Sequence, residues 1–105
     1  MAKPVWLLVM FDLPVKTKEQ MRLASQYRNL LKDRGFDRIQ LSVYCKYYLN
    51  GNSTEKDLGI LKMNVPAGGQ VRVLKVSDMQ WASTIMFLGP KKKKVEAPPE
   101  QLMIF

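Results

Sequence analysis

Asp12 is the residue around which any chemistry of this chain must be arranged. It closes the run Val5-Trp6-Leu7-Leu8-Val9-Met10-Phe11, seven apolar residues without a break, and is followed at once by Leu13-Pro14. A carboxylate at the end of a buried strand costs desolvation unless something compensates it. Asp12 is therefore either a turn and capping residue or a ligand for something positive. One carboxylate holds a hard cation poorly. Two copies brought together by a two-fold axis, with water, make a magnesium or manganese site, able to lower the pKa of a bound water and stabilise charge on a phosphodiester.

The rest of the inventory narrows the chemistry. The chain has no histidine, so the commonest general base and transition-metal ligand is absent. Its single cysteine, Cys45, excludes an internal disulfide and a multi-cysteine zinc site. Hydrolytic chemistry must then rest on carboxylates, hydroxyls, lysines and hard metals. Arg38, Gln40, Ser42 and Tyr44 share one parity of an extended segment. Arg38 there could pair with Asp12 or meet a phosphate bidentately, and Tyr44 could position phosphate or pack in an interface. Ser42 lies in no nucleophile elbow and has no histidine partner. Cys45 has the opposite parity and reads as a small buried hydrophobe.

Lysine and arginine total 17 against 9 acids, a formal charge of +8 on 105 residues. Basic residues spread through the chain suit a polyanion, with nucleic acid the first expectation. Lys16, Lys18, Arg22, Lys46, Arg72 and Lys75 form no motif and suit phosphate contacts that carry no base information. The run Lys91–Lys94 reads as a further backbone contact. The first apolar run is too short to span a membrane and lacks the form of a signal peptide, so the expectation is a soluble cytoplasmic protein with no membrane partner.

The elements that must position these residues follow from periodicity. Val5 to Phe11 is apolar on both parities, as in a central strand covered on both faces. Thr17-Lys18-Glu19-Gln20 has the form of a capping box, and Met21, Ala24, Tyr27, Leu30 and Leu31 recur at helical spacing, predicting a helix over 18–34 closed by Gly35. Residues 36–49 read as extended, with Ile39, Leu41, Val43, Cys45 and Tyr47 inward and a bend near 42–44 that makes two strands. A weaker helix is expected from Ser53 or Thr54 to about Met63, a strand over 69–76, a helical turn over 78–81 and a strand over 83–88. The last five residues, 101–105, carry four apolar side chains in succession and read as a final strand. Residues 1–89 are expected to form one domain, with 90–105 its basic linker and terminal strand. The order fits an α+β ferredoxin-like sandwich: an antiparallel sheet with two helices on one face. The doubly apolar first strand then predicts a homodimer across the open face, with each terminal strand added to the partner's sheet.

Phe11-Asp12-Leu13-Pro14, Gly35-Phe36 after the first helix, Arg38-Ile39-Gln40-Leu41-Ser42-Val43-Tyr44 and residues 73–81 together resemble the small CRISPR-associated adaptation proteins ("Cas two"), above all members accompanying type II systems. The resemblance covers essentially the whole chain. It implies a ferredoxin-like homodimer and a magnesium-dependent nuclease acting on RNA or DNA, with Asp12 as metal ligand and Arg38 and Tyr44 at the family's arginine and aromatic positions. It also implies a complex with the CRISPR integrase subunit, in which the dimer bridges two integrase dimers and holds double-stranded DNA for insertion as a spacer. The competing expectation is a non-catalytic RNA- or DNA-binding regulator on the same fold.

Overall fold

The structure, a computed structural model, describes residues 3–91. Strand β1 spans Val5–Asp12, helix α1 Lys18–Asp33, strands β2 and β3 Asp37–Gln40 and Val43–Tyr48, helix α2 Glu55–Met63, strand β4 Gln70–Ser77 and the short helix α3 Asp78–Ala82. The sheet order is β2-β3-β1-β4 and every pairing is antiparallel. This is the ferredoxin-like arrangement expected from the element order. β1 is central, as its two apolar faces demand.

The core lies between the sheet and the α1–α2 layer. Leu7, Val9 and Phe11 of β1 meet Ala24, Tyr27 and Leu31 of α1 and Leu61 of α2. The Tyr27 hydroxyl donates to the Leu61 carbonyl at 3.0 Å. Burial removes this phenol from water and pushes its pKa up to about 12. Helix α1 starts on the capping box read from the sequence: Thr17 Oγ1 accepts from the Gln20 amide, and Gln20 Oε1 accepts from the Thr17 amide. It ends in a Schellman turn, with the Phe36 amide donating to Leu31 and the Gly35 amide to Lys32. Gly35 has φ of 88°, which a side chain would strain.

The second extended segment breaks as expected, but its inward parity is reversed. Tyr44 and Tyr48 face the helices, whereas Leu41 is 71% exposed and Tyr47 lies on the outer face. The alternation itself holds across the irregularity between Arg38 and Gln40, since Arg38 and Tyr44 still share a face, and the pairing of β3 with β1 sets which face is inward. Tyr44 and Tyr48 then stand opposite Val9 and Val5 of the helix-facing parity. Val43, Cys45 and Tyr47 face outward beside Met10, Leu8 and Trp6.

The expected strand over 83–88 is not formed. Residues 83–91 carry no helix or strand, and Ile85, Met86, Phe87 and Leu88 are each more than three-quarters exposed. They pair with no strand among the described residues, although β4 ends the sheet with an unpaired outer edge. α3 folds instead onto one end of the open sheet face. Trp81 stacks on Trp6 at 4.9 Å, and the Trp6 indole N–H donates to Asp78 at 2.9 Å. The expected strand at 101–105 and the lysines at 92–94 lie outside the described residues. Among the described residues no helix is long and apolar enough to cross a membrane.

Candidate active site

Asp12 is the last residue of β1 and is exposed. Alternation along the strand sends Leu7, Val9 and Phe11 into the helix layer and sets Asp12 with Trp6, Leu8 and Met10 on the open face. The strand ends here because Leu13 turns back into the core and Pro14 has no amide to donate. Gly69 packs so closely under this turn that a Cβ on it would lie 2.7 Å from Leu13 Cδ2. Side-chain bulk at 69 would push the start of β4 away from Asp12.

On β4, Gln70 stands directly opposite Asp12, and Arg72 is opposite Met10. Directly paired residues share a face, so Asp12, Gln70 and Arg72 all point to the open side. Together with Met10 and Phe11 they line a shallow cleft of about 170 Å³. Asp12 has no ion-pair partner among the described residues. A larger groove, about 620 Å³ between α1 and the turn after α2, contains Asp33 but no lysine or arginine. It suits a polyanion poorly.

The remaining expected site residues separate. Arg38 is exposed on the edge strand β2, opposite Tyr44, and so shares the parity of the helix side. Its row runs through Tyr44 to Val9, two strands across and about 10 Å along the strand from Asp12. An Asp12–Arg38 pair within one chain is therefore excluded by topology.

Tyr44 is corrected more sharply. It is 0% exposed, stacks on Phe11 at 5.7 Å, and its hydroxyl is buried without a partner. No phosphate can reach it from outside. An unpartnered buried hydroxyl costs stability, so Tyr44→Phe is expected to leave cleavage intact and raise stability by about 1 kcal/mol in urea denaturation. A loss of activity in a folded Tyr44→Phe protein would restore the catalytic reading.

Lys46 is also removed from the nucleic-acid surface. Its ammonium donates to Asp57 Oδ2 at 2.8 Å and to the Arg34 carbonyl at 2.6 Å, and it lies 5.0 Å from the centre of the Tyr48 ring. Lys75 faces the helix side, opposite Leu7, and donates to the Gly51 carbonyl at 3.3 Å. Arg22 pairs with Glu19 along exposed α1. Lys16 and Lys18 are exposed on the loop and helix start that follow Asp12. Only they and Arg72 lie near Asp12 in the chain or across the sheet.

The sequence reading missed Asp57. It is 3% exposed and accepts from Arg34 Nε, Lys46 and the Tyr48 hydroxyl at 2.8, 2.8 and 2.5 Å. Burial raises the carboxyl pKa, but the hydrogen bonds from Lys46, Tyr48 and Arg34 outweigh it and hold the group below its usual range. The Tyr48 phenol is driven up, first by burial and then by its bond to Asp57. An acid in the first turn of α2 looks like an ordinary dipole partner, so only the tertiary contacts mark it. The Cys45 thiol is buried and pushed up by burial, then by Asp37, which makes it a poor nucleophile.

The family model for CRISPR associated protein Cas2 matches residues 5–84, the whole of the sheet and its helices. The chain belongs to this family. Cas2 relatives named CRISPR-associated endoribonuclease Cas2 match it along most of its length. One from Flavobacterium psychrophilum is 30% identical over 103 residues, covering 98% of this chain and 90% of the relative. Another from Paracidovorax avenae is 34% identical over 101 residues, covering 96% and 94%. A third from Acidovorax ebreus is 38% identical over 94 residues, covering 87% and 92%. A solved structure titled "Crystal structure of cas2" superposes with a TM-score of 0.60 at 18% identity, covering 91% of this chain and 99% of its own. That likeness is one of fold.

The donor set at the Cas2 strand end is all oxygen, the Asp12 carboxylate and the Gln70 amide carbonyl, as a magnesium or manganese ion requires. Among the described residues no three His, Cys, Asp or Glu side chains converge on one point. A single chain thus offers one carboxylate and one amide oxygen at this point, well short of an octahedral shell without added water.

Proposed function

We propose that this chain is a metal-dependent endonuclease of the Cas2 family, acting as a homodimer in prokaryotic cytoplasm with Asp12 of each protomer at its centre. The observation that carries the reading is the placement of Asp12: exposed at the end of the central strand, beside Arg72 and Gln70, with no ion-pair partner among the described residues. The names of the relatives support RNA as substrate class. The reaction is hydrolysis of a phosphodiester. A water oxygen attacks phosphorus, the bond to the leaving ribose oxygen breaks, and a proton passes to that oxygen. Bound at Asp12, magnesium or manganese would neutralise charge on the phosphate. The protein's own part is to hold the carboxylate at a rigid strand end and to bring basic groups to the backbone. Lys16, Lys18 and Arg72 are the contacts nearest Asp12.

The dimer reading rests on the open face. Leu8, Met10, Leu74 and Val76 share it, Leu74 is 50% exposed, and Phe87 beyond α3 is 90% exposed. Contiguous apolar surface of this kind marks an interface. Leu74→Glu is expected to shift the protein from dimer to monomer in sedimentation velocity, because it buries a charge at the centre of that face. A dimer of unchanged strength would place the interface elsewhere.

In spacer acquisition the same dimer would bridge CRISPR integrase subunits and hold duplex DNA. Co-purification with the integrase subunit, followed by an integration assay, tests this role. Metal-dependent cleavage of RNA by the purified dimer tests the nuclease, and no cleavage with magnesium or manganese would overturn it.

A further inference from the structure

The open face of the sheet is divided. Its apolar part comprises Trp6, Leu8, Met10, Val43, Cys45, Leu74 and Val76; its polar corner is Asp12, Gln70 and Arg72. Arg72 stands two residues along β4 from the position opposite Asp12. Such diagonal neighbours sit about 7 to 8 Å apart at the backbone. That is close enough for an Asp–Arg pair, yet the Arg72 side chain makes no ion pair among the described residues. Its aliphatic stem lies across from Met10 and its guanidinium end is free for solvent. The cleft between the two charges, about 170 Å³, is open enough to admit a phosphate group.

We propose that Arg72 is the phosphate-binding residue of the Asp12 cleft, gripping the non-bridging oxygens of the phosphodiester to be cut. This assignment rests on the nuclease reading above. A guanidinium is planar and meets two phosphate oxygens at once, whereas an ammonium is a single point charge. Arg72 thereby differs from Lys16 and Lys18, whose contacts hold the backbone without selecting the reacting phosphate. Placed on a strand and not on a loop, its Cα is fixed by the β1–β4 ladder, so the grip is aligned with Asp12 before substrate arrives.

The test separates grip from catalysis. A fluorescein-labelled single-stranded RNA is titrated in EDTA at several salt concentrations, and its cleavage is followed with magnesium. Arg72→Ala is expected to weaken EDTA binding, to reduce the slope of log affinity against log salt by about 1, and to lower kcat on the order of a hundredfold. Arg72→Lys should recover the slope but not kcat. Lys56→Ala, exposed on α2, serves as the control for loss of one positive charge. A salt slope and kcat for Arg72→Ala equal to those of Lys56→Ala would overturn the assignment. Asp12→Asn should abolish cleavage without weakening EDTA binding, because it removes a charge that repels phosphate when no metal is present. Cleavage lost in Asp12→Asn but retained in Arg72→Ala sinks the Arg72 role alone. With no cleavage by the wild type, the nuclease reading fails, and the EDTA slope of Arg72→Ala against Lys56→Ala still decides whether Arg72 grips phosphate.

Discussion

Asp12→Ala should abolish metal-dependent cleavage, with a loss of at least on the order of a hundredfold in rate, the scale of removing one preorganised electrostatic partner of a reacting group. The side chain is exposed and forms no ion pair among the described residues, so stability should change by less than about 0.5 kcal/mol. A folded, dimeric and inactive protein is therefore the expected product, and EDTA should reproduce the effect in the wild type. The measurement is the cleavage rate of an RNA substrate, with urea denaturation as the control for folding. Cleavage at the wild-type rate would mean that the activity comes from elsewhere or from a contaminant. The same variant separates the two roles proposed for the dimer. Holding duplex DNA between integrase subunits depends on shape and charge, so Asp12→Ala should integrate spacers nearly as well as the wild type.

The second large effect is on stability. Asp57→Ala should destabilise the fold by about 3 kcal/mol, the lower end for breaking a buried charge pair. Three donors lose their acceptor at once, from Arg34, Lys46 and Tyr48. Arg34 and Lys46 are partly exposed and can regain some hydration, which keeps the loss from being larger. Urea denaturation at fixed protein concentration measures it, and a change below about 1 kcal/mol would show that the cluster is incidental. The pH dependence has a definite sign. The Asp57 carboxyl is held below its usual value in the folded state. Its stabilisation is thus fully present above the unfolded carboxylate pKa of about 4 and is lost as pH falls through the lower folded value. Asp57→Asn should be less stable at neutral pH and should lose less stability on acidification than the wild type.

How much was legible in the sequence varied with the range of the interactions concerned. Helix α1 was readable to within a residue because its capping box and its closing glycine are local: they need only the residues of the helix ends. β1 was readable as central because seven apolar residues in a row have no other economical place. The second extended segment was readable as two strands but not in its facing. Alternation groups Arg38 with Tyr44 correctly, but only the pairing of β3 with β1 decides that this group faces the helices. Tyr44 and Lys46, placed by alternation on an accessible polar face, went to the core and to Asp57. The strand expected over 83–88 had the right composition but is paired with no strand among the described residues, and strand pairing is never a property of one segment alone.

The sequence by itself determined the chemistry available: no histidine, one cysteine, an excess of eight positive charges, and one carboxylate at the end of a doubly apolar strand. It also determined the local starts and stops from which a ferredoxin-like order follows. Only the tertiary structure decided which of the candidate groups meet. Antiparallel pairing of β1 with β4 brought Gln70 and Arg72 to Asp12 from 58 and 60 residues away, while the row through Tyr44 carried Arg38 to the other side of the sheet. The physical reason is the two-residue repeat of a strand. It makes a side chain's face depend on register, and register is set by the partner strand and by the bulge between them.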